Sequence, residues 1–129
     1  LGGGALTPGM SRIMIVDDDK DITNPLKIGL TSYGFSVDAY NDPKEALAKY
    51  EAGKYGLIII DIRMPEMNGF DLFREIKKVD GNSKVCFLTA FDMYAGEFKK
   101  LFPKMTVEGF LTKPISISRL ASEIKGITG

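Results

Sequence analysis

Four short stretches of this 129-residue chain carry side chains suited to binding a hard cation or acting as a nucleophile. Asp17-Asp18-Asp19 supplies three carboxylates in a row, Asp61 one more, Thr89 a hydroxyl and Lys113 an ammonium. Each stands at the end of a short apolar run: Arg12 to Val16, Leu57 to Ile60, Lys84 to Leu88, and Glu108 to Leu111 followed by Thr112. Clustered carboxylates repel one another, and leaving all of them ionised without a cation is costly. Mg²⁺ suits one or two carboxylates together with waters and phosphate oxygens. A run of three aspartates alone says little, because surface acidic runs usually sit in water and cap helices. Its meaning comes from the separate aspartate, hydroxyl and lysine at the ends of other predicted strands.

The pattern between these points predicts how they are brought together. Arg12 to Val16, Leu57 to Ile60 and Lys84 to Leu88 are continuous apolar runs, as strands buried on both faces require. Phe35 to Tyr40 alternates apolar and polar residues, as a strand with one drier face does. Ile22, Leu26, Leu30 and Tyr33 recur at helical spacing, with Gly34 as the stop. Pro25 fits that helix if it begins only a residue or two earlier. Asp42-Pro43-Lys44-Glu45 reads as N-cap, N1 proline and N3 glutamate of a second helix running to about Ala52, closed by Gly53. The turn-rich Met64 to Gly69 leads into a helix with Phe70, Phe73 and Ile76 on one side. A fourth helix spans about Asp92 to Phe102, and a fifth, capped by Ser116 or Ser118, runs through Ile127. Five strands alternating with helices predict a parallel sheet covered on both faces with right-handed crossovers. In such sheets ligands bind beyond the carboxyl ends of the strands, where Asp17, Asp61, Thr89 and Lys113 stand.

Composition narrows the function classes. Lys plus Arg and Asp plus Glu both number 17, so net charge gives no reason to expect nucleic acid or anionic membrane as partner. Lys99, Lys100 and Lys104 cluster locally and read as a solvated helix face. The chain contains no histidine, which removes Cys-His and Ser-His pairs, imidazole metal ligands and a phosphohistidine donor. The single cysteine, Cys86, lies within an apolar run and reads as a small buried hydrophobe. No apolar run approaches the length that spans a bilayer. The Gly-rich residues 1–9 lack the basic and long apolar regions of a secretory signal. They read as a disordered leader or an expression remnant before Met10, with one domain over residues 10–129 in the cytoplasm. Only 16 residues follow Lys113, too few for an output domain.

Val16-Asp17-Asp18-Asp19, Asp61-Ile62-Arg63-Met64-Pro65-Glu66-Met67-Asn68-Gly69, Thr89-Ala90 and Phe110-Leu111-Thr112-Lys113-Pro114 together resemble the receiver domains (CheY-like) of two-component response regulators. The resemblance covers Ser11 to about Ile127, and the segment from Asp61 to Gly69 is its most specific part. It implies a flavodoxin-like (βα)₅ three-layer sandwich with a five-stranded parallel sheet of order 2-1-3-4-5. It implies that Asp61 accepts a phosphoryl group from a phosphohistidine, on a sensor histidine kinase or a histidine phosphotransfer protein. Mg²⁺, with Mn²⁺ as substitute, would be held by Asp18, Asp61 and the backbone carbonyl of Arg63, with Asp17 acting through a water. Lys113 and Thr89 would contact phosphoryl oxygens, and the Lys113-Pro114 bond would be cis. Phe110 with Thr89 would form the switch, while Arg63 and Phe91 would tune the lifetime of the acyl phosphate. Such a protein is a self-phosphorylating, slowly autodephosphorylating switch rather than a turnover enzyme. It would act on a downstream protein target, as a monomer or a phosphorylation-dependent dimer.

Three rivals share parts of this pattern. A haloacid-dehalogenase-type phosphatase needs its nucleophile after the first strand in Asp-x-Asp-x-Thr, whereas Asp17-Asp18-Asp19-Lys20-Asp21 lacks the threonine. A pseudo-receiver usually loses an acidic or lysine residue, yet all are present. A flavin-binding relative needs a Ser/Thr/Gly-rich loop after the first strand, where this chain has aspartates.

Overall fold

A computed structural model describes residues 12–90 and 94–129. Five strands alternate with five helices: β1 (Arg12–Val16), α1 (Lys20–Ser32), β2 (Ser36–Tyr40), α2 (Pro43–Lys49), β3 (Leu57–Asp61), α3 (Gly69–Val79), β4 (Val85–Thr89), α4 (Tyr94–Leu101), β5 (Gly109–Thr112) and α5 (Ile117–Thr128). All strands are parallel, in the order β2-β1-β3-β4-β5.

Period-two alternation divides the strand residues between two apolar layers. Met14, Val16, Ile58, Ile60, Val85 and Phe87 face one side and pack with Phe70, Phe73 and Ile76 of α3 and with Phe98 and Phe102 of the α4 region. Ile13, Ile15, Leu57, Ile59, Cys86, Leu88 and Leu111 face the other and pack with Leu26 and Leu30 of α1 and Leu120, Ala121 and Ile124 of α5. β1, β3 and β4 therefore carry unbroken apolar runs, Ile13 to Val16, Leu57 to Ile60 and Val85 to Leu88, because both their faces are covered. Cys86 is fully buried, and burial pushes its thiol up to about 12, so it packs as a hydrophobe. No helix among the described residues is long and apolar enough to cross a membrane.

Local capping chemistry starts the helices where the strands deliver them. Asp19, Asp42, Asn68 and Ser116 each accept a backbone N–H in the first turn of α1, α2, α3 and α5. Asn68 and Asp71 complete a reciprocal capping box. Gly34 follows α1 with φ +95°, a left-handed stop.

Four expectations are corrected. Asp19 starts α1 at Lys20, which puts Pro25 at the sixth helical position rather than in the first turn. Pro25 cannot donate to the Asp21 carbonyl, but both residues lie on the exposed side of α1, where losing that hydrogen bond costs least. α2 ends at Lys49, three residues before Ala52, because Tyr50 turns to extended backbone and donates its hydroxyl to Asp80 Oδ2 at 2.8 Å. Gly53, at φ +78°, donates its N–H to the same oxygen. Tyr33 is exposed rather than part of the α1 core stripe, with the Lys125 ammonium over its ring. β4 and β5 also run one residue nearer the carboxyl rim than the apolar runs indicate, so that Thr89 and Thr112 pair. Residues 1–9, and the predicted first turn of the fourth helix at Asp92, lie outside the described residues.

Phe73 is fully buried and meets Phe87, Phe98 and Phe102 at ring-centroid distances of 5.2–5.7 Å. Phe73→Ala should cost about 3–5 kcal/mol in urea unfolding. A loss below about 1 kcal/mol would mean that this layer repacks freely.

Candidate functional site

Adjacent strands place the acidic residues side by side. Val16 and Ile60 are paired in the β1–β3 register, so Asp17 and Asp61 occupy the next positions on neighbouring strands. By alternation both leave the sheet toward the α1/α5 layer, as does Lys113 after β5. Lys113 Nζ donates to Asp17 Oδ2 and to Asp61 Oδ1, each at 2.8 Å. Asp17 and Asp61 are only 2% and 6% exposed, so this is a largely desolvated triad. Asp18 is exposed at its edge, and the carboxylates of Asp17, Asp18 and Asp61 lie within 4.8 Å of one another.

Backbone contacts hold the rim together. The Lys113 N–H donates to the Thr89 carbonyl at 2.8 Å, tying β5 to β4 beside the site. The Lys113-Pro114 bond is cis. The Asp17 N–H donates to the Tyr40 carbonyl at 3.1 Å, and the Asp19 N–H donates to Asp17 Oδ1 at 3.0 Å. The Gly69 N–H donates to the Ile62 carbonyl at 2.8 Å, bringing the start of α3 against the end of β3. A Cβ on Gly69 would strike the Asp61 carbonyl and come within 2.8 Å of Ile62 Cα, so only glycine fits there.

The charges are unevenly matched. Burial raises the Asp61 carboxyl to about 6; the Lys113 hydrogen bond opposes that shift, while the Asp17 and Asp18 charges reinforce it. Asp18 is also raised, by burial and then by Asp17. Burial disfavours the Lys113 ammonium, but its hydrogen bonds to the two carboxylates outweigh that and raise its pKa. Three carboxylates facing one ammonium leave two negative charges over, and the donor set is all oxygen. That fits a hard divalent cation.

A cleft of about 260 Å³ opens over these groups, lined by Asp17, Asp18, Asp19, Asp61, Arg63, Thr89, Ala90 and Lys113. All the sequence-predicted site residues, apart from Phe91 and Phe110, thus meet in one place from four chain segments. Phe91 lies outside the described residues. Phe110 is half-buried away from the cleft, stacked on Phe87 at 5.4 Å and edge-on to Phe98 at 5.8 Å. Asp19 lines the cleft but spends one carboxylate oxygen as the α1 cap. Sequence reasoning passed over Asn41, whose side chain reaches the Asp17 carbonyl, and treated Gly69 only as part of a motif.

The model of the response regulator receiver domain matches residues 13–125. The chain belongs to that family. Its relatives include the chemotaxis protein CheY of Thermotoga maritima, 34% identical over 119 residues, covering 91% of this chain and 97% of the relative. The transcriptional regulatory protein TrcR of Mycobacterium tuberculosis is 28% identical over 116 residues, covering 90% of this chain and 44% of the relative. The chain spans about half the length of the transcriptional regulatory relatives it matches. Among solved structures, the response regulator TrrA of Thermotoga maritima in complex with Mg²⁺-BeF superposes with a TM-score of 0.77 at 28% identity, covering 91% of this chain and 98% of that one. Receiver domains are signalling switches of two-component systems, and the acidic cluster of this one is compatible with Mg²⁺.

Asp61 holds its proton more tightly in the fold, at about 6, than at its ordinary value of 3.8. Stability from that proton is present below the ordinary value and is lost as the pH rises through about 6. In EDTA near pH 7, Asp61→Asn should therefore exceed wild type in urea stability by about 1–3 kcal/mol. The gap should close below about pH 4. An advantage that does not change with pH would rule out the Asp61 carboxyl as its source.

Proposed function

We propose that this receiver domain accepts a phosphoryl group on Asp61 from a phosphohistidine in a Mg²⁺-dependent reaction. The observation that carries the reading is the buried Asp61 carboxylate, bonded to Lys113 and grouped with Asp17 and Asp18 beneath an open cleft. A carboxylate oxygen of Asp61 attacks phosphorus; the P–N bond to the donor imidazole breaks, and the imidazole keeps the electron pair and takes a proton. None of these 129 residues is a histidine, so the phosphohistidine lies outside them, on a sensor histidine kinase or a histidine phosphotransfer domain.

Asp18, Asp61 and the Arg63 carbonyl would hold the cation directly, and Asp17 through a water. Bound Mg²⁺ (or Mn²⁺) supplies charge neutralisation on the transferring phosphoryl group. Lys113 then shifts its ammonium from the free Asp61 carboxylate to a phosphoryl oxygen while keeping Asp17 as anchor. Thr89, at the end of β4, donates its hydroxyl to another phosphoryl oxygen. Ala90 beside it is small and exposed, leaving access for donor and water. Phe110 responds to the movement of Thr89 and alters the face formed by α4, β5 and α5, where a downstream protein binds. The domain acts as a switch in the cytoplasm, phosphorylating itself and losing the group slowly. Arg63 over the cleft and Phe91 after Ala90 set how readily water reaches the acyl phosphate.

With acetyl phosphate and Mg²⁺, intact mass should show one added phosphoryl group in wild type and none in Asp61→Asn. Lys113→Ala should slow its formation by about 10²-fold or more, the scale of losing one preorganised charge partner. An undiminished adduct in Asp61→Asn would sink the reading, and rapid turnover of a general phosphate ester would favour a phosphatase. Replacing both Arg63 and Phe91 by alanine should change the dephosphorylation rate; an unchanged rate removes them as regulators of water access.

A further inference from the structure

The Asp17–Asp18 turn carries two of the three clustered carboxylates, and what fixes it is a residue outside the acidic set. Asn41 follows the last residue of β2 and directs its side-chain amide back across the end of β1. Its Nδ2 donates to the Asp17 carbonyl at 2.8 Å and to Thr23 Oγ1 at 2.9 Å. A backbone carbonyl only accepts, so the NH₂ side of the amide must face it, and both its protons are used. Thr23 is fully buried in the first turns of α1, so one side chain links β2, the β1–α1 turn and α1.

With that bond, all four polar groups of Asp17 are engaged. Its N–H goes to Tyr40, its carbonyl receives Asn41, Oδ1 receives the Asp19 N–H, and Oδ2 receives Lys113. The Asp17 carbonyl and the Asp18 N and Cα share one rigid peptide plane. Pinning the carbonyl therefore sets the direction in which Asp18 leaves the backbone. Asp17 and Asp61 also have the Lys113 ion pair to orient them, whereas Asp18 stands exposed at the edge of the cleft and takes its position from the turn.

We infer that Asn41 is a positioning residue for the cation site, holding the Asp17–Asp18 peptide so that Asp18 presents its carboxylate to the metal. The inference rests on the cation-dependent reading of the site given above. Outer partners that orient metal ligands matter on a known scale, about 10–100-fold in affinity. Asn41 meets this description through the backbone rather than through a ligand side chain.

The test is a titration of free Mn²⁺ by electron paramagnetic resonance on wild type, Asn41→Ala and Asn41→Leu, with folding checked by circular dichroism. Two variants, one smaller and one near-isosteric without donors, guard against one failing to fold. The Mn²⁺ dissociation constant should rise about 10-fold in both. The Mg²⁺ concentration that half-saturates phosphorylation from acetyl phosphate should rise by the same factor, with the rate recovering at saturating Mg²⁺. Folded variants with lowered melting temperature but unchanged Mn²⁺ affinity would overturn the inference and leave Asn41 a purely structural clamp. Failure of wild type to bind Mn²⁺ would overturn it as well. If wild type binds Mn²⁺ but takes up no phosphoryl group, the proposed function fails while the Mn²⁺ titration still decides the role of Asn41.

Discussion

Repulsion among three carboxylates within 4.8 Å is the constraint around which the rest of the molecule is arranged. Like charges this close repel one another, and burial of Asp17 and Asp61 adds a desolvation cost. One ammonium offsets part of it. Lys113 reaches from the end of β5 past β4 to touch Asp61 at the end of β3 and Asp17 after β1, two residues 52 and 96 positions away in the chain. That reach is available only because the three residues leave the sheet on the same side. The stabilising burial lies elsewhere, in two apolar layers whose strand residues are almost entirely withdrawn from water. Sites built for function often sit at such local disadvantages, supported by a consistent surrounding structure.

The support is made of short, specific contacts rather than bulk. Gly69 lets α3 press against the backbone of Asp61 and Ile62, which a side chain would prevent. Asn68 and Asp71 fix the entry to the same helix. On the other side, Asp19 caps α1 while its N–H binds Asp17, so the turn that carries the acidic run is itself the helix start. The acidic turn and the helix N-terminus are one structure, so the three aspartates in a row make different contacts: Asp19 caps α1, Asp17 bonds Lys113, and Asp18 stands exposed at the edge of the cleft.

Much of this was legible because it is local or periodic. The doubly apolar strands announced a parallel sheet, and Asp42-Pro43 announced a helix start that the structure keeps residue for residue. The convergence of Asp17, Asp61, Thr89 and Lys113 followed from strand order alone once the sheet was accepted, since each ends a strand. Contacts between distant residues were not legible. Tyr50 bonds Asp80 across 30 positions and ends α2 early, and Asn41 reaches Asp17 across 24. Neither has a spacing that repeats, and tyrosine or asparagine at such places is ordinary in a loop. Pro25 misled for a different reason. A proline rule describes the cost of a lost hydrogen bond, and on the water-facing side of α1 that cost is small enough for the Asp19 cap to decide where the helix begins.

The alternation that gathers Asp17, Asp61 and Lys113 on one side of the sheet sends Thr89 to the other. Val85 and Phe87 of β4 face the aromatic layer, and Thr89 continues that row. Phe87 stacks on Phe110 of β5, and Phe110 meets Phe98 of α4 edge-on. Of the residues around the cleft, Thr89 is thus the one whose strand row runs into the layer beneath α4. Close-packed aromatic rings leave little room to absorb a displacement where it occurs. If Thr89 moves as the proposed phosphoryl contact requires, the displacement would be passed along β4 and the ring contacts. Thr89 belongs to both sides: it ends a buried strand, 2% exposed, and it also lines the cleft. In the proposed mechanism, switching would depend less on the acidic cluster alone than on that cluster and the aromatic layer meeting at a single strand end.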